Sequence, residues 1–247
     1  MALIHSFEKS GNFLFRYRGQ IPVILFVVAV PVIYFTGDAG LSSRWQLVIT
    51  IGGILISLVG FMIRAYTIAT TPAGTSGRNT EKQVAEALNT SGIYSMVRHP
   101  LYLGNYLMWA GIVIFTFNIW FFLLMSLAYW IYYERIMFAE ERFLEGKYGK
   151  EYMDWSVKIP AFFPSFKKPV RSNVPFSLKS ILRREYSGIL ATVFGYAFID
   201  HIRYFFLTGT FNPWRLSTWF LFGAVLFALL FRTLKHHTKL LNEKGRS

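Results

Sequence analysis

Four apolar blocks, residues 21–36, 46–69, 101–138 and 187–232, constrain this chain more than any other feature. A helix crossing a bilayer needs about 20 residues at a rise of about 1.5 Å each, so the last two blocks are too long for one crossing apiece. The third folds near Thr116-Phe117-Asn118, and the fourth breaks across residues 208–213, which include Gly209 and Pro213. The expected fold is all-α: a polytopic integral membrane protein of about six transmembrane helices, with five to seven as the range. Residues 21–35 follow a long polar and aromatic stretch and lack a small-residue cleavage site, so this segment is expected to be retained rather than cleaved as a signal. Composition agrees, because 53% of residues are apolar and 16% charged, against about a quarter charged in a soluble domain.

The net charge of +13 has two readings, nucleic acid or topology. Six crossings put both termini on one side, and 23 of the 26 Lys and Arg residues then lie on that side, leaving Arg44, Arg203 and Arg215 on the other. This is the positive-inside bias. It places the termini and the two large loops in the cytoplasm and removes the need for a nucleic-acid partner. Cysteine is absent, so thiolate metal sites and cysteine nucleophiles are excluded, and no metal is expected.

Between the second and third crossings, Thr80 and Gln83 fit a capping box opening a short helix through Leu88. Residues 73–79 form a Gly-rich loop that reads as an ordinary turn or as a phosphate cradle. Beyond the fourth crossing, residues 146–175 combine Trp155 with prolines at 160, 164, 169 and 175, the composition of an irregular segment lying against the headgroups.

The strongest local signal is Arg98-His99-Pro100, with Tyr102 and Gly104 following. Pro100 suits the first turn of a helix and pushes His99 out of helical geometry, so the imidazole and the helix start share a small volume. Gly104 permits close approach of a ligand or a neighbouring helix. The bland alternative is a basic boundary residue, a helix start and a packing glycine. Arg98 lies 20 residues before Asn118 and Glu140 lies 22 after it, so an antiparallel hairpin brings Arg98 and His99 beside Glu140 and Glu141. Paired acids at a helix C-terminus oppose its dipole, which marks either a site or a solvated rim paired with Arg135 and Arg142.

Tyr94, Arg98-His99-Pro100, Tyr102 and Gly104, followed by Glu140-Glu141, Tyr148-Gly149, Glu151-Tyr152, Pro160, Phe162 and Pro164, resemble the isoprenylcysteine carboxyl methyltransferase and phospholipid methyltransferase superfamily. The resemblance covers roughly residues 90–166 and implies a membrane enzyme using S-adenosyl-L-methionine, with a cytoplasmic cofactor cap. Residues 1–89 would then supply N-terminal membrane helices and a cytoplasmic loop, and residues 167–247 a linker and a C-terminal membrane hairpin. By the resemblance, Tyr94, His99, Pro100, Tyr102, Gly104, Glu140 and Glu141 would bind the cofactor, and Arg98 and Glu141 would act at the reacting centre.

The implied acceptor is a lipid or lipidated molecule. Basic cytoplasmic loops favour an anionic oxygen acceptor over an amine, whose ammonium form they would repel. Arg78, Asn79, Glu134 and Arg135 are the candidates for contacting it. N-methylation of an aminophospholipid, or a sterol-reductase-like enzyme using a nicotinamide cofactor, is the alternative. A transporter would show polar residues or broken helices near mid-membrane. Asp200, His201 and Arg203 are ionisable groups in the fifth crossing, but on this topology they lie a membrane thickness from the cofactor, and Asp200 and Arg203 could satisfy one another.

Overall fold

A computed structural model describes residues 2–75, 83–167 and 169–246. Its regular structure is helical: α1 (Leu3–Arg16), α2 (Ile24–Thr36), α3 (Ser43–Ala69), α4 (Pro100–Ile114), α5 (Ile119–Tyr148), α6 (Lys150–Ser156), α7 (Leu178–Thr208) and α8 (Leu216–His237). By length and composition α3 and α8 can each cross a membrane, and α1 with the segment Ile21–Thr36 forms a third candidate bent by 73°. Both expected breaks are present. Phe117 turns the chain at φ +58° and the Asn118 side chain accepts from the Phe121 N–H to start α5, while Gly209 closes α7 in the left-handed conformation.

The most extensive helix pairing is α3 against α4, and small residues are its cause. A Cβ on Gly60 would lie 2.6 Å from the Gly104 carbonyl oxygen, and one on Gly53 would lie 2.8 Å from that of Gly111. The two backbones therefore touch directly, the close approach that small residues permit between membrane helices. Between them the Ser57 hydroxyl donates to the Met108 carbonyl and bonds Tyr196 of α7, each at 2.9 Å. Next to this pair α5 runs antiparallel to α4, with the Tyr129 hydroxyl donating to the Tyr102 carbonyl at 2.7 Å.

Three local expectations are corrected. Residues 83–88 are not helical: the Ala85 carbonyl accepts from Lys147 Nζ and the Tyr148 hydroxyl, and the Glu86 N–H donates to the Gly74 carbonyl, so backbone groups a helix would use are bonded elsewhere. Thr80 lies outside the described residues. Residues 146–156 are not irregular, because α5 runs through Gly146 to Tyr148, Gly149 turns the chain at φ +53°, and α6 follows. Asp200 does not pair with Arg203. It takes a bidentate ion pair from Arg215 at 2.5 and 2.7 Å and a bond from Ser217, tying α7 to the start of α8. Arg203 instead lies over the Phe117 ring, 3.9 Å from its centroid.

Candidate active site

The Arg98-His99-Pro100 motif is held in place before its side chains are considered. Residues 160–170 run as a strap along residues 92–99: the Arg98 N–H donates to the Pro160 carbonyl at 2.9 Å, the His99 N–H to Ala161 at 3.1 Å, the Ser165 N–H to Met96 at 2.9 Å and the Gly92 N–H to Val170 at 2.9 Å. Pro100 occupies the first turn of α4, and His99 stands at its N-cap with φ −120° and ψ 63°. The His99 carbonyl accepts from the N–H groups of Tyr102 and Leu103.

The imidazole is 7% exposed and sits between both acids: Nε2 is 2.9 Å from Glu141 Oε1, and Nδ1 is 3.5 Å from Glu140 Oε2. Burial alone would depress its basicity, but hydrogen bonds and charge from Glu140 and Glu141 outweigh burial and raise its pKa above the usual histidine value. As imidazolium, both ring nitrogens donate. The Tyr102 hydroxyl donates to Glu140 Oε1 at 2.6 Å. Arg98 reaches Glu141 at 3.3 Å and the Ser156 carbonyl at 3.3 Å, while its Nε is buried without a partner among the described residues.

These groups open onto a cavity of about 520 Å³, lined in part by Tyr94, Arg98, His99, Tyr102, Asn105 and Glu140. One wall is aromatic, with Tyr133 packed 4.6 Å from Tyr102 and 4.2 Å from Tyr129, centroid to centroid. Burial and the charge of Glu140 push the Tyr94 hydroxyl up to about 12, so it remains a neutral donor. Pro100 also lines the cavity. Glu141 does not, but contacts two residues that do, His99 and Arg98.

Other expected residues are placed elsewhere. Gly104 faces α3, where a Cβ would lie 2.5 Å from Arg64 Cγ and 2.7 Å from the Gly60 carbonyl oxygen, so it serves helix packing and does not line the cavity. Glu134 is exposed, and Arg135 lays its guanidinium over Phe7 of α1, 3.2 Å from the ring centroid. Neither lines the cavity, because successive positions on α5 turn by about 100° and Tyr133 and Glu140 already define the inward face. Arg78 and Asn79 lie outside the described residues.

Sequence reasoning missed the opposite wall. Arg64 on α3 makes a bidentate pair with Glu185 on α7, at 2.9 and 2.6 Å, and donates to Asn105 on α4 at 2.6 Å. All three line the cavity, and Glu185 is 1% exposed. A guanidinium interrupting the second apolar block was the signal for Arg64. Its partner lies 121 residues away, and no local pattern points to it.

Comparison with known proteins places the chain in a family. The family model described as "Phospholipid methyltransferase" matches residues 47–151. The nickel-cobalt-cadmium resistance protein NccN of Alcaligenes xylosoxydans xylosoxydans is 31% identical over 158 residues, covering 62% of this chain and 67% of that one. The protein-S-isoprenylcysteine O-methyltransferase of Schizosaccharomyces pombe is 28% identical over 114 residues, covering 44% of this chain and 48% of that one. Protein-S-isoprenylcysteine O-methyltransferase B of Arabidopsis thaliana is 28% identical over 129 residues, with 51% and 63% covered. No solved structure matches the chain. With the motif in place at a polar cavity and these relatives beside it, the chain belongs to the isoprenylcysteine carboxyl methyltransferase and phospholipid methyltransferase superfamily of membrane enzymes.

Proposed function

We propose that this protein transfers the methyl group of S-adenosyl-L-methionine to an anionic oxygen, a carboxylate or a lipid phosphate, on a lipid or lipidated acceptor in the membrane. The observation that carries the reading is the clamping of one buried imidazole between Glu140 and Glu141 at the edge of a cavity of about 520 Å³. The lining suits the cofactor's chemistry. Glu140 is a carboxylate for an ammonium, the guanidinium groups and the Tyr94 hydroxyl suit a carboxylate, and the faces of Tyr102 and Tyr133 suit a sulfonium. When bound, S-adenosyl-L-methionine supplies a methyl group on sulfonium, which an anionic oxygen takes by in-line displacement while sulfur keeps the bonding pair.

The chain's own contribution is alignment and exclusion of water. Tyr102 and His99 fix Glu140, and the strap over residues 92–99 keeps the motif from moving. No general base is needed for an anionic acceptor, whereas an ammonium acceptor would meet the guanidinium groups of Arg64 and Arg98 on the lining. That repulsion favours O-methylation over N-methylation, and relatives named as O-methyltransferases support the same choice.

In this reading α2, α3, α4, α5, α7 and α8 are six crossings, with both termini, the strap and the cavity in the cytoplasm, because 23 of the 26 basic residues then face that side. The test is transfer of labelled methyl from S-adenosyl-L-methionine into a membrane lipid extract by the purified protein. Label that alkali releases as methanol marks a carboxyl ester. Alkali-stable label on an amine contradicts O-methylation, and no incorporation into any extract by protein that binds the cofactor contradicts the transfer itself.

A further inference from the structure

The polar cavity is ordered along its length. At one end the Tyr102 hydroxyl donates to Glu140, and the Tyr102 ring packs on Tyr133. Asn105 Nδ2 donates to the Tyr133 hydroxyl at 3.4 Å, and Asn105 Oδ1 accepts from Arg64 at 2.6 Å. The row therefore runs from a carboxylate, past two aromatic faces, to a guanidinium. Asn105 lies six residues after His99 on α4, and Tyr133 seven before Glu140 on α5, so at about 1.5 Å per residue the two ends stand about 9–10 Å apart. The guanidinium end is the deeper one, with Arg64 five residues inside the end of α3 and Glu185 seven inside the start of α7.

Arg64 is fixed but not exhausted by its partners. It donates from Nε and Nη2 to Glu185 and from Nη1 to Asn105. Each Nη carries a second N–H, without a partner among the described residues, and Arg64 lines the cavity. Space beside the pair is open on the α7 side, where Gly188 also lines the cavity and a Cβ on it would lie 3.1 Å from Glu185 Oε2. Because Glu185 neutralises Arg64, the pair selects by the direction of its N–H groups, which match the planar fork of a carboxylate or phosphate. The sign comes from the lining as a whole, in which four arginines, Arg18, Arg64, Arg98 and Arg184, face two glutamates, Glu140 and Glu185.

We propose that Arg64, held by Glu185 and Asn105, binds one oxygen of the acceptor's anionic group and turns the other toward the methyl donor. The identification of this anion as the acceptor rests on the proposed methyl transfer; an anion site at Arg64 does not. The order of the row is the order the reaction needs, with the donor's ammonium at Glu140, its sulfonium on the aromatic faces and the acceptor oxygen beyond. The O–C bond forms as the C–S bond breaks and sulfur keeps the bonding pair. One negative charge on the acceptor and the positive charge on sulfur are both lost, so no proton moves and Glu185 need not act as a base. Arg98, expected at the reacting centre, is engaged by Glu141 and the Ser156 carbonyl at the level of His99, which assigns it to the donor's end.

The experiment uses the full chain in neutral detergent, titrated with S-adenosylhomocysteine and, with and without it, with laurate and dodecyl phosphate. The double substitution Arg64→Met with Glu185→Leu removes one cation and one anion, so net charge is unchanged and no charge is left buried alone. It should bind S-adenosylhomocysteine as wild type does and lose about tenfold or more in affinity for whichever anionic probe wild type prefers, as the loss of charge-assisted hydrogen bonds would give. Glu140→Gln should do the reverse, weakening S-adenosylhomocysteine and sparing the probes. Preference for laurate marks a carboxylate acceptor, and for dodecyl phosphate a phosphate. Binding of neither probe to wild type, or equal probe affinity in wild type and the double variant, overturns the proposal. So does loss of S-adenosylhomocysteine binding in the double variant, or exclusion of the probes by S-adenosylhomocysteine, because Arg64 would then hold the donor's own carboxylate. Probe binding as expected, with no methyl incorporated into any lipid extract, overturns the acceptor assignment and leaves the anion site standing. Failure of wild type to bind S-adenosylhomocysteine counts against the proposed reaction, while the probes still report on Arg64.

Discussion

Nε2 of His99 lies 2.9 Å from Oε1 of Glu141, a residue 42 positions later in the chain and on a different helix. This contact closes the hairpin of α4 and α5 at its polar end, and Glu140 on the other side of the ring completes the clamp. Two carboxylates around one buried ring favour the charged form, with a consequence for pH. Because the folded-state pKa of His99 is raised, its stabilising contribution is fully present below the unfolded value of about 6.5 and is lost as pH rises through the folded value. Thermal melts of wild type and His99→Gln in the same detergent should therefore differ most at the acidic end of the range and converge as pH rises. A difference that grows with pH would contradict the raised value.

Glu141→Gln removes the charge that faces both His99 and Arg98 while keeping the shape. Glu141 does not line the cavity, so under the proposed function its role is to position His99 and Arg98. Its loss should weaken cofactor binding by about tenfold, as one charge-assisted hydrogen bond of about 1.5–3 kcal/mol would, and should lower the pH at which His99 loses its proton. An unchanged histidine titration, followed by NMR of labelled imidazoles, would exclude positioning through the ring.

Gly104→Ala should destabilise the protein without contacting any ligand. The new Cβ would meet Arg64 Cγ at 2.5 Å and the Gly60 carbonyl oxygen at 2.7 Å. The second neighbour is backbone and cannot swing away, so the helices must part, at a cost of about 1–3 kcal/mol as for other overpacked interiors. A lowered melting temperature with cofactor affinity retained in the folded fraction is the expected result. Lost affinity at unchanged stability would return Gly104 to the binding site.

Glu185→Gln strips the partner from Arg64 in a pair whose side chains are 1% and 16% exposed. Removing one member of a buried pair costs about 3–5 kcal/mol, whereas replacing both by apolar residues is often neutral. Glu185→Gln should therefore be markedly less stable than the double substitution Arg64→Met with Glu185→Leu, as measured by denaturation in detergent. Equal stability would show that the pair is solvated.

The parts of this architecture that were legible in the sequence share a cause. The hairpin of α4 and α5 follows from rise per residue, from Pro100 as a helix start and from the turn at Asn118, all properties of neighbouring residues. What was illegible depended on partners far along the chain. Thr80 and Gln83 fit a capping pattern for a helix through Leu88, but the Ala85 carbonyl is taken by Lys147 and Tyr148. Arg64 finds Glu185 and Asp200 finds Arg215 because α7 lies against α3 and folds back on α8. Helix α1 was readable in hindsight: Phe7, Gly11 and Phe15 recur at intervals of four, and Gly11 packs so closely on α5 that a side chain would overlap the Arg135 carbonyl.

Binding of the methyl donor in the cavity bounded by His99, Tyr102 and Glu140 is tested most directly by calorimetric titration of S-adenosylhomocysteine into the purified full chain, with Glu140→Gln alongside. Wild type should show saturable one-site binding that weakens by about tenfold or more in the variant, since a charged partner in the cavity is lost. Equal affinity in the two folded proteins, or binding of a nicotinamide dinucleotide in place of S-adenosylhomocysteine, would contradict it.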